Sequence, residues 1–250
     1  MQKVQNNARV KVGTAGWSIP ANSRTEFPDT GYSLEKYATR FNAVEINSSF
    51  YCSHKQSTYQ KWALQVPSEF SFSVKLSRSI THDLKLKNID APLQRFAEEV
   101  SGLGNKLGCV LVQLPPKFQF FKHDMASAFG LLRQTFACAI VCEPRHQTWN
   151  SNEVDEFLIG TGVARAAVDP ALYPQALVPG GDKHTCYYRL HGSPDMYYSD
   201  YDDGRLEDYA RLISDQQQNS EVWCIFDNTA LGHATINALK MQRLLHVSPV

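Results

Sequence analysis

The chain lacks any excess of charge. Its 25 Lys and Arg balance 25 Asp and Glu, for a net charge of +0 with histidine neutral. Nothing in that total favours a nucleic-acid backbone or an anionic membrane as a partner. No apolar run approaches the ~20 residues that a bilayer-spanning helix requires. Residues 1–9 are polar and carry no secretory apolar stretch, so a cytoplasmic location is expected. Among the 6 cysteines there is no C-x-x-C pair, which excludes a zinc ribbon or a dithiol redox motif. Cys109, Cys142, Cys186 and Cys224 fall inside apolar runs and read as reduced, buried small side chains. The Gly-rich phosphate fingerprint of a doubly wound sheet is absent. So are the H-x-H and H-E-x-x-H patterns of metal-dependent hydrolases.

What the chain does have is 43% hydrophobic residues, enough for a large core, arranged in a regular alternation. Short β-type apolar runs fall at 10–14, 43–47, 70–75, 108–113, 139–143, 163–169, 185–191 and 222–226. Helical periodicity fits between most of them, at 33–40, 57–64, 91–104, 124–136, 151–159, 206–217 and 233–244. Strands alternating with helices imply parallel pairing through crossovers. A length of 250 residues is typical of a single (β/α)8 barrel of the TIM type. We therefore expect an α/β fold, an eight-stranded parallel barrel over residues 10–245, with residues 1–9 extended or disordered. Segment 171–183 holds Pro174, Pro179 and Gly180-Gly181, so a loop is expected in place of the sixth helix.

The strands end in polar residues, and their phase is informative because side chains two apart share a face. With Val44 and Ile46 outward, Glu45 and Asn47 point inward; with Phe70, Phe72 and Val74 outward, Ser71, Ser73 and Lys75 point inward. Arg189 and His191 share a face opposite Tyr188 and Leu190, and Arg165, Ala167 and Asp169 are read as another inward set. The expected ring at the C-terminal mouth contains Glu45, Glu143, Asp169, Asp227, Lys75, Arg145, Arg189 and His191. Thr14, Asn47, Gln113 and Asn228 add neutral hydrogen-bonding groups. His82 and His146 lie in adjoining loops, and Trp17, Phe50, Tyr51 and Trp149 are expected to wall the pocket.

Mixed charges at one barrel end can simply neutralise one another as a structural network. Strand-end polar groups in such barrels are, however, usually catalytic or ligand-binding. The first functional expectation is an enzyme, of hydrolase, lyase or isomerase type, using acid–base chemistry on a small polar or anionic molecule. Glu143 and His191 would move protons, with Glu45 as second carboxylate. Arg189, Arg145 and Lys75 would orient the anion. A second expectation is a divalent ion, Mg or Mn, held by Glu45, Glu143, Asp169, His191 and Asp227, although three nearby cations compete for those carboxylates. A third is a nucleic-acid-binding or endonuclease-like barrel, from Tyr197, Tyr198 and Tyr201 in one loop; Asp195, Asp200, Asp202 and Asp203 in the same loop oppose it. A non-catalytic small-molecule binding module is a fourth. Cys52 near the mouth shows no sign of an activated thiol, and His54, His123, His184, His233 and His246 read as surface or capping residues.

Several ordered motifs carry a resemblance. Gly13-Thr14-Ala15-Gly16-Trp17, Val44-Glu45-Ile46-Asn47-Ser48-Ser49-Phe50-Tyr51 and Gln113-Leu114-Pro115-Pro116 are followed by Glu143-Pro144-Arg145-His146 through Trp149. Arg189-Leu190-His191-Gly192 and Phe226-Asp227-Asn228 complete the set. Together they resemble the YecE-like family, a domain of unknown function, over about residues 11–239. The resemblance implies a TIM-type barrel and carries no assigned activity. Ala15 stands where that family more often has serine.

Overall fold

A computed structural model describes residues 10–248. The N-terminal stretch expected to be extended or disordered, residues 1–9, lies outside them. The strands are β1 (Val10–Thr14), β2 (Ala43–Ile46), β3 (Ser71–Lys75), β4 (Leu107–Gln113), β5 (Ala139–Glu143), β6 (Ala164–Arg165), β7 (Ala167–Asp169), β8 (Gly180–Gly181), β9 (Thr185–Leu190) and β10 (Glu221–Phe226). The α-helices are α1 (Ser33–Ala38), α2 (Ser48–Tyr51), α3 (Gln56–Leu64), α4 (Asp90–Val100), α5 (Lys122–Thr135), α6 (Asn152–Thr161), α7 (Asp203–Gln216) and α8 (His233–Leu245). Between β7 and β9, where a loop is expected, the chain makes a 3-10 turn at Pro174–Leu177 and the two-residue β8. No helix among the described residues is long and apolar enough to cross a membrane.

The strands pair in two sheets, ordered β1-β10-β9-β7 and β2-β3-β4-β5-β6-β8, and every pairing except β6 with β8 is parallel. Two seams connect them. The first joins β1 to β2 through an isolated parallel bridge between Ala15 and Glu45, with the Gly16 N–H donating to the Glu45 carbonyl at 2.8 Å. Side chains complete this seam. The Asn42 amide accepts from the Val12 N–H and donates to the Val10 carbonyl, while the Tyr37 hydroxyl accepts from the Thr14 N–H and donates to the Ala43 carbonyl. Gly13 allows the approach, because a Cβ there would sit 2.0 Å from the Ala43 oxygen. The second seam is covalent: β6 pairs with β5, β7 pairs with β9, and only Ala166 separates them.

Alternation along the strands sorts the buried residues into two clusters. A large one, including Val44, Ile46, Phe72, Val74, Val110, Tyr188, Leu190 and Phe226, packs against the helices. A small one gathers Ala43, Cys109, Leu111, Val141, Ala164, Ala166, Tyr187, Trp223 and Ile225, so the strands turn a common inner face to it. Tyr187 and Trp223 stack there at 5.8 Å, and Trp223 leaves no room for a Cβ at Gly108. Large aromatics thus fill the end of this inner face away from the C-terminal strand ends. Of the cysteines expected to be reduced and buried, Cys109, Cys142, Cys186 and Cys224 are all free and buried.

Candidate functional site at the C-terminal strand ends

Two residues beyond the inner apolar positions, the same period brings polar side chains to the same face: Glu45 after Ala43, Glu143 after Val141, Arg189 after Tyr187 and Asp227 after Ile225. All four are buried. Burying unpaired charge costs several kcal/mol per ion, so such a group must be saturated with partners. Arg189 meets that demand. Its Nε and Nη2 donate to the two oxygens of Glu45 at 3.0 and 2.7 Å, a forked pair. Nη1 donates to Glu143 Oε2 at 2.5 Å, and Nη2 also donates to Asp227 Oδ2 at 2.9 Å. Glu143 receives a second cation, since Arg145 Nε donates to its Oε1 at 2.7 Å. The Tyr187 hydroxyl donates to Glu45 Oε2 at 2.8 Å and lies 2.7 Å from the Ser73 hydroxyl.

His191 completes this network. Its Nδ1 lies 3.0 Å from Asp227 Oδ2, and its Nε2 lies 3.5 Å from Arg189 Nη1. A carboxylate only accepts, so Nδ1 is the nitrogen that donates to Asp227. A carboxylate holding the far nitrogen is the arrangement that orients a proton-transfer imidazole. Tyr197 packs its ring edgewise on His191 at 5.6 Å. Burial alone would raise the Glu143 carboxyl, but Arg189, Arg145, His191 and Lys75 together hold it well below the ordinary range. Burial likewise opposes ionisation of Asp227, and Arg189 and His191 outweigh it and keep its pKa low. Both acids are therefore fixed as carboxylates at neutral pH.

The ends of β2, β3 and β4 between Glu45 and Glu143 are different. Asn47, Lys75 and Gln113 stand at the ends of β2, β3 and β4, and the side chains of Lys75 and Gln113 are buried. None of the three side chains hydrogen-bonds to a described residue, and Asn47 Oδ1 is buried without a partner. Lys75 Nζ has no carboxylate in ion-pair range among the described residues; it rests 4.2 Å from the centre of the Phe50 ring. Burial first, and Arg189 second, lower its pKa to about 8, against the opposing pull of Glu143, Glu45 and Asp227. His82 packs edgewise on the same Phe50 ring at 5.0 Å. Its pKa is lowered by burial and by Arg78 and Lys75.

Asp169 and Trp149, expected at the mouth, face elsewhere, and other expected residues are held in local contacts. The polar residues of the sixth run face outward: Ala164 and Ala166 join the inner cluster, Arg165 pairs with Asp155 of α6 at 3.0 Å, and Asp169 pairs with Arg205 of α7 at 2.6 Å. Asp169 is thereby removed from both the binding set and the metal set. The remaining candidates for a divalent ion do not converge either. Among the described residues no three His, Cys, Asp or Glu groups are placed to hold one, and the Arg189 guanidinium occupies the centre of the carboxylates. Trp149 is buried in the outer core against Phe118, Phe120 and Phe129, its indole N–H donating to the Phe118 carbonyl at 2.9 Å. Trp17 packs on Trp62 at 5.0 Å, and Tyr51 is 74% exposed beside Phe50. His146 caps the turn at Gln147–Trp149 by accepting from the Thr148 N–H. Asn228 Nδ2 donates to the Ser199 carbonyl and to Asn237 Oδ1, while its own Oδ1 is buried without a partner among the described residues. Thr14 turns to Tyr37 and to the Gly16 carbonyl.

Tyr187 is part of the site although it is not among the sequence candidates, and Tyr197, which the sequence offers only as a stacking residue for nucleic acid, packs on His191. Tyr187 was accessible to the phase argument, lying two residues before Arg189. Tyr197 sits in a loop where no periodicity applies.

Residues 11–249 match the model of a family described as "Protein of unknown function DUF72". The chain belongs to the DUF72 family. Similar DUF72-type relatives include the UPF0759 protein YunF of Bacillus subtilis (strain 168), 26% identical over 268 residues and 95% of each chain. Another is the UPF0759 protein YecE of Escherichia coli (strain K12), 31% identical over 109 residues, covering 44% of this chain and 39% of that one. The fold is shared with a DUF72 family protein of Enterococcus faecalis V583, at a TM-score of 0.81, 21% identity and 96% of each chain. A DUF72 family protein of Thermotoga maritima MSB8 aligns at a TM-score of 0.78 and 24% identity, over 95% of this chain and 99% of that one. The YecE-like resemblance and the α/β class with parallel-rich sheets are thereby established for this DUF72 chain.

Proposed function

We propose that the two sheets form one closed eight-stranded barrel, and that its C-terminal mouth is an active site for acid–base chemistry on a small anionic or polar molecule. Closure is supported by the two seams, one a bridge between Ala15 and Glu45 and the other the unbroken run of β6 into β7. In such barrels catalytic groups come from the C-terminal ends of several strands.

The observation that carries the functional reading is a contrast within the ring. One set is saturated: Glu45, Glu143, Asp227, Arg189 and His191 satisfy one another. The strand ends between Glu45 and Glu143 offer Asn47, Lys75 and Gln113, whose side chains hydrogen-bond to none of the described residues. Buried polar groups are normally paired, and an unpaired one calls for an explanation, which three such groups at adjoining strand ends find in a shared ligand. The three carboxylates of the cluster match its three cations in number, yet Lys75 alone has no carboxylate in ion-pair range among the described residues, so the ammonium is the cation left for a ligand. Lys75, Gln113 and the free Nη1 of Arg145 bind the anion, and Asn47 accepts a hydrogen bond from it. His191, aligned by Asp227, moves the proton. Glu143 stays ionised and anchors Arg145 and Arg189, a role distinct from the proton transfer expected of it.

The test is a thermal-shift screen with small carboxylates, phosphates and sugar phosphates, run on the native chain and on Gln113→Leu. A ligand at one hundred times its Kd stabilises by about 2.7 kcal/mol. Protection of the native chain that weakens in Gln113→Leu is the expected result. If no small anion protects, or if protection is unaffected by Gln113→Leu, the mouth is not a binding site.

A further inference from the structure

We propose that Lys75 is a nucleophile that condenses with the carbonyl carbon of a small anionic aldehyde or ketone, forming an imine. This rests on reading the mouth as a binding site and names the chemistry that its unpaired side chains perform.

The argument is geometric first. A lysine is seldom buried without an ion pair. Here three carboxylates lie in the same ring, yet each is already committed to Arg189, and Glu143 also to Arg145. Lys75 is left with the face of Phe50 as its nearest companion, at 4.2 Å. Desolvation together with a neighbouring cation is the environment that makes a lysine amine nucleophilic. The β2–β3 register ends at Ile46 opposite Val74; Asn47 follows directly after β2 and Lys75 closes β3, so both stand at neighbouring strand ends. Asn47 Oδ1 is buried without a partner among the described residues, and the Lys75 amine has no acceptor among them. Both are ready for a ligand that brings a donor and an electrophile. Arg145 uses Nε and Nη2 on Glu143, which leaves Nη1 for the anionic group of that ligand.

The step balances without any further reactant. The lone pair of neutral Nζ attacks the carbonyl carbon, a C–N bond forms, and the C=O π pair moves to oxygen, which takes a proton. The nitrogen then gives up a proton, and the carbinolamine hydroxyl, protonated as it departs, leaves as water when C=N forms. His191, held by Asp227, and His82, packed on the Phe50 ring that also carries Lys75, are the two imidazoles of the mouth that pass these protons. Nothing is oxidised or reduced.

With a pKa of about 8, roughly a tenth of Lys75 is neutral at pH 7, against about 0.03% of an ordinary lysine. At that pH the neutral fraction of Lys75 exceeds that of an ordinary lysine by roughly 300-fold; an α-amino group, with an ordinary pKa of about 7.7–8.0, is trapped as readily and its adduct is scored apart. The experiment incubates the full chain with sodium cyanoborohydride and, in turn, pyruvate, glyoxylate or glyceraldehyde 3-phosphate, then maps the adduct by peptide mass spectrometry. Thermal protection by the same three compounds, without the hydride, is measured alongside. One adduct on the peptide bearing Lys75 with at least one probe, absent from correctly folded Lys75→Arg, supports the proposal. Adducts spread over exposed lysines overturn it. Protection that is lost in Lys75→Met with no adduct shows an ammonium that only anchors anions: the nucleophile fails and the binding site stands. Neither protection nor adduct with any of the three overturns both.

Discussion

Arg189→Met removes the single cation that three buried carboxylates share. Methionine keeps most of the aliphatic volume, so the perturbation is electrostatic rather than a cavity. Glu45 loses both arms of its forked pair, Asp227 keeps only its contact to His191, and Glu143 retains Arg145. Breaking a buried pair by deleting one partner costs about 3–5 kcal/mol. The three losses are not additive, because the orphaned acids share one site and relieve it by taking up protons. For a chain of this size the loss corresponds to a fall of roughly 6–20 °C in Tm.

The sign of the pH dependence separates this account from mere misfolding. In the native chain Glu143 and Asp227 have depressed folded pKa values. They therefore contribute stability above the unfolded carboxyl range, and that stability is lost as pH falls through the folded values. Without Arg189 their largest lowering influence is gone while burial still raises them. The same carboxyls then penalise folding at neutral pH, and acidification relieves the penalty. Scanning calorimetry of both proteins at pH 8 and pH 5 is the assay, and the gap between them should narrow on going to pH 5. A gap that is constant or wider at pH 5, or a loss below about 1 kcal/mol at pH 8, refutes the assignment of Arg189 as the counter-charge of the ring.

Two further outcomes are expected. Lys75→Met should raise stability at pH 7 by about 1–3 kcal/mol, because the folded pKa of about 8 lies below that of the unfolded chain. The native penalty fades as pH rises from about 8 towards about 10.4, so urea midpoints of the two proteins should converge near pH 10; a destabilised variant at pH 7 contradicts this. Tyr187→Phe strips a donor from Glu45 Oε2 and leaves the Ser73 hydroxyl without that partner, which should lower the urea-derived stability by about 1–3 kcal/mol. A change within about 0.5 kcal/mol would mean that the hydroxyl carries no weight there.

Where a strand mixes bulky apolar and polar residues, its phase is legible from the chain alone. Val44 and Ile46 against Glu45, Phe72 and Val74 against Ser73 and Lys75, and Tyr188 and Leu190 against Arg189 and His191 admit one orientation, and the structure has it. The sixth run, Ala164 to Asp169, does not. Alanine fits either face, so the polar residues there were assigned inward, whereas Asp155 on α6 and Arg205 on α7 draw Arg165 and Asp169 outward. Trp149 failed as a pocket wall for a related reason. Its position after a strand end is visible in the sequence, but its burial against Phe118, Phe120 and Phe129 depends on a distant loop and on α5 and α6.

By itself the sequence determined the alternation of strands and helices, the family, and which residue types reach the C-terminal strand ends. Those follow from periods of two and of 3.6, which are local properties of the backbone. Only the tertiary structure decided how the charges are shared, because that depends on distances between strands far apart in the chain. Arg189 and Glu45, 144 residues apart, make the forked pair that consumes one carboxylate. With Glu143 and Asp227 consumed in the same way, Lys75, Asn47 and Gln113 are left unpaired, and it is that remainder which marks where a ligand belongs.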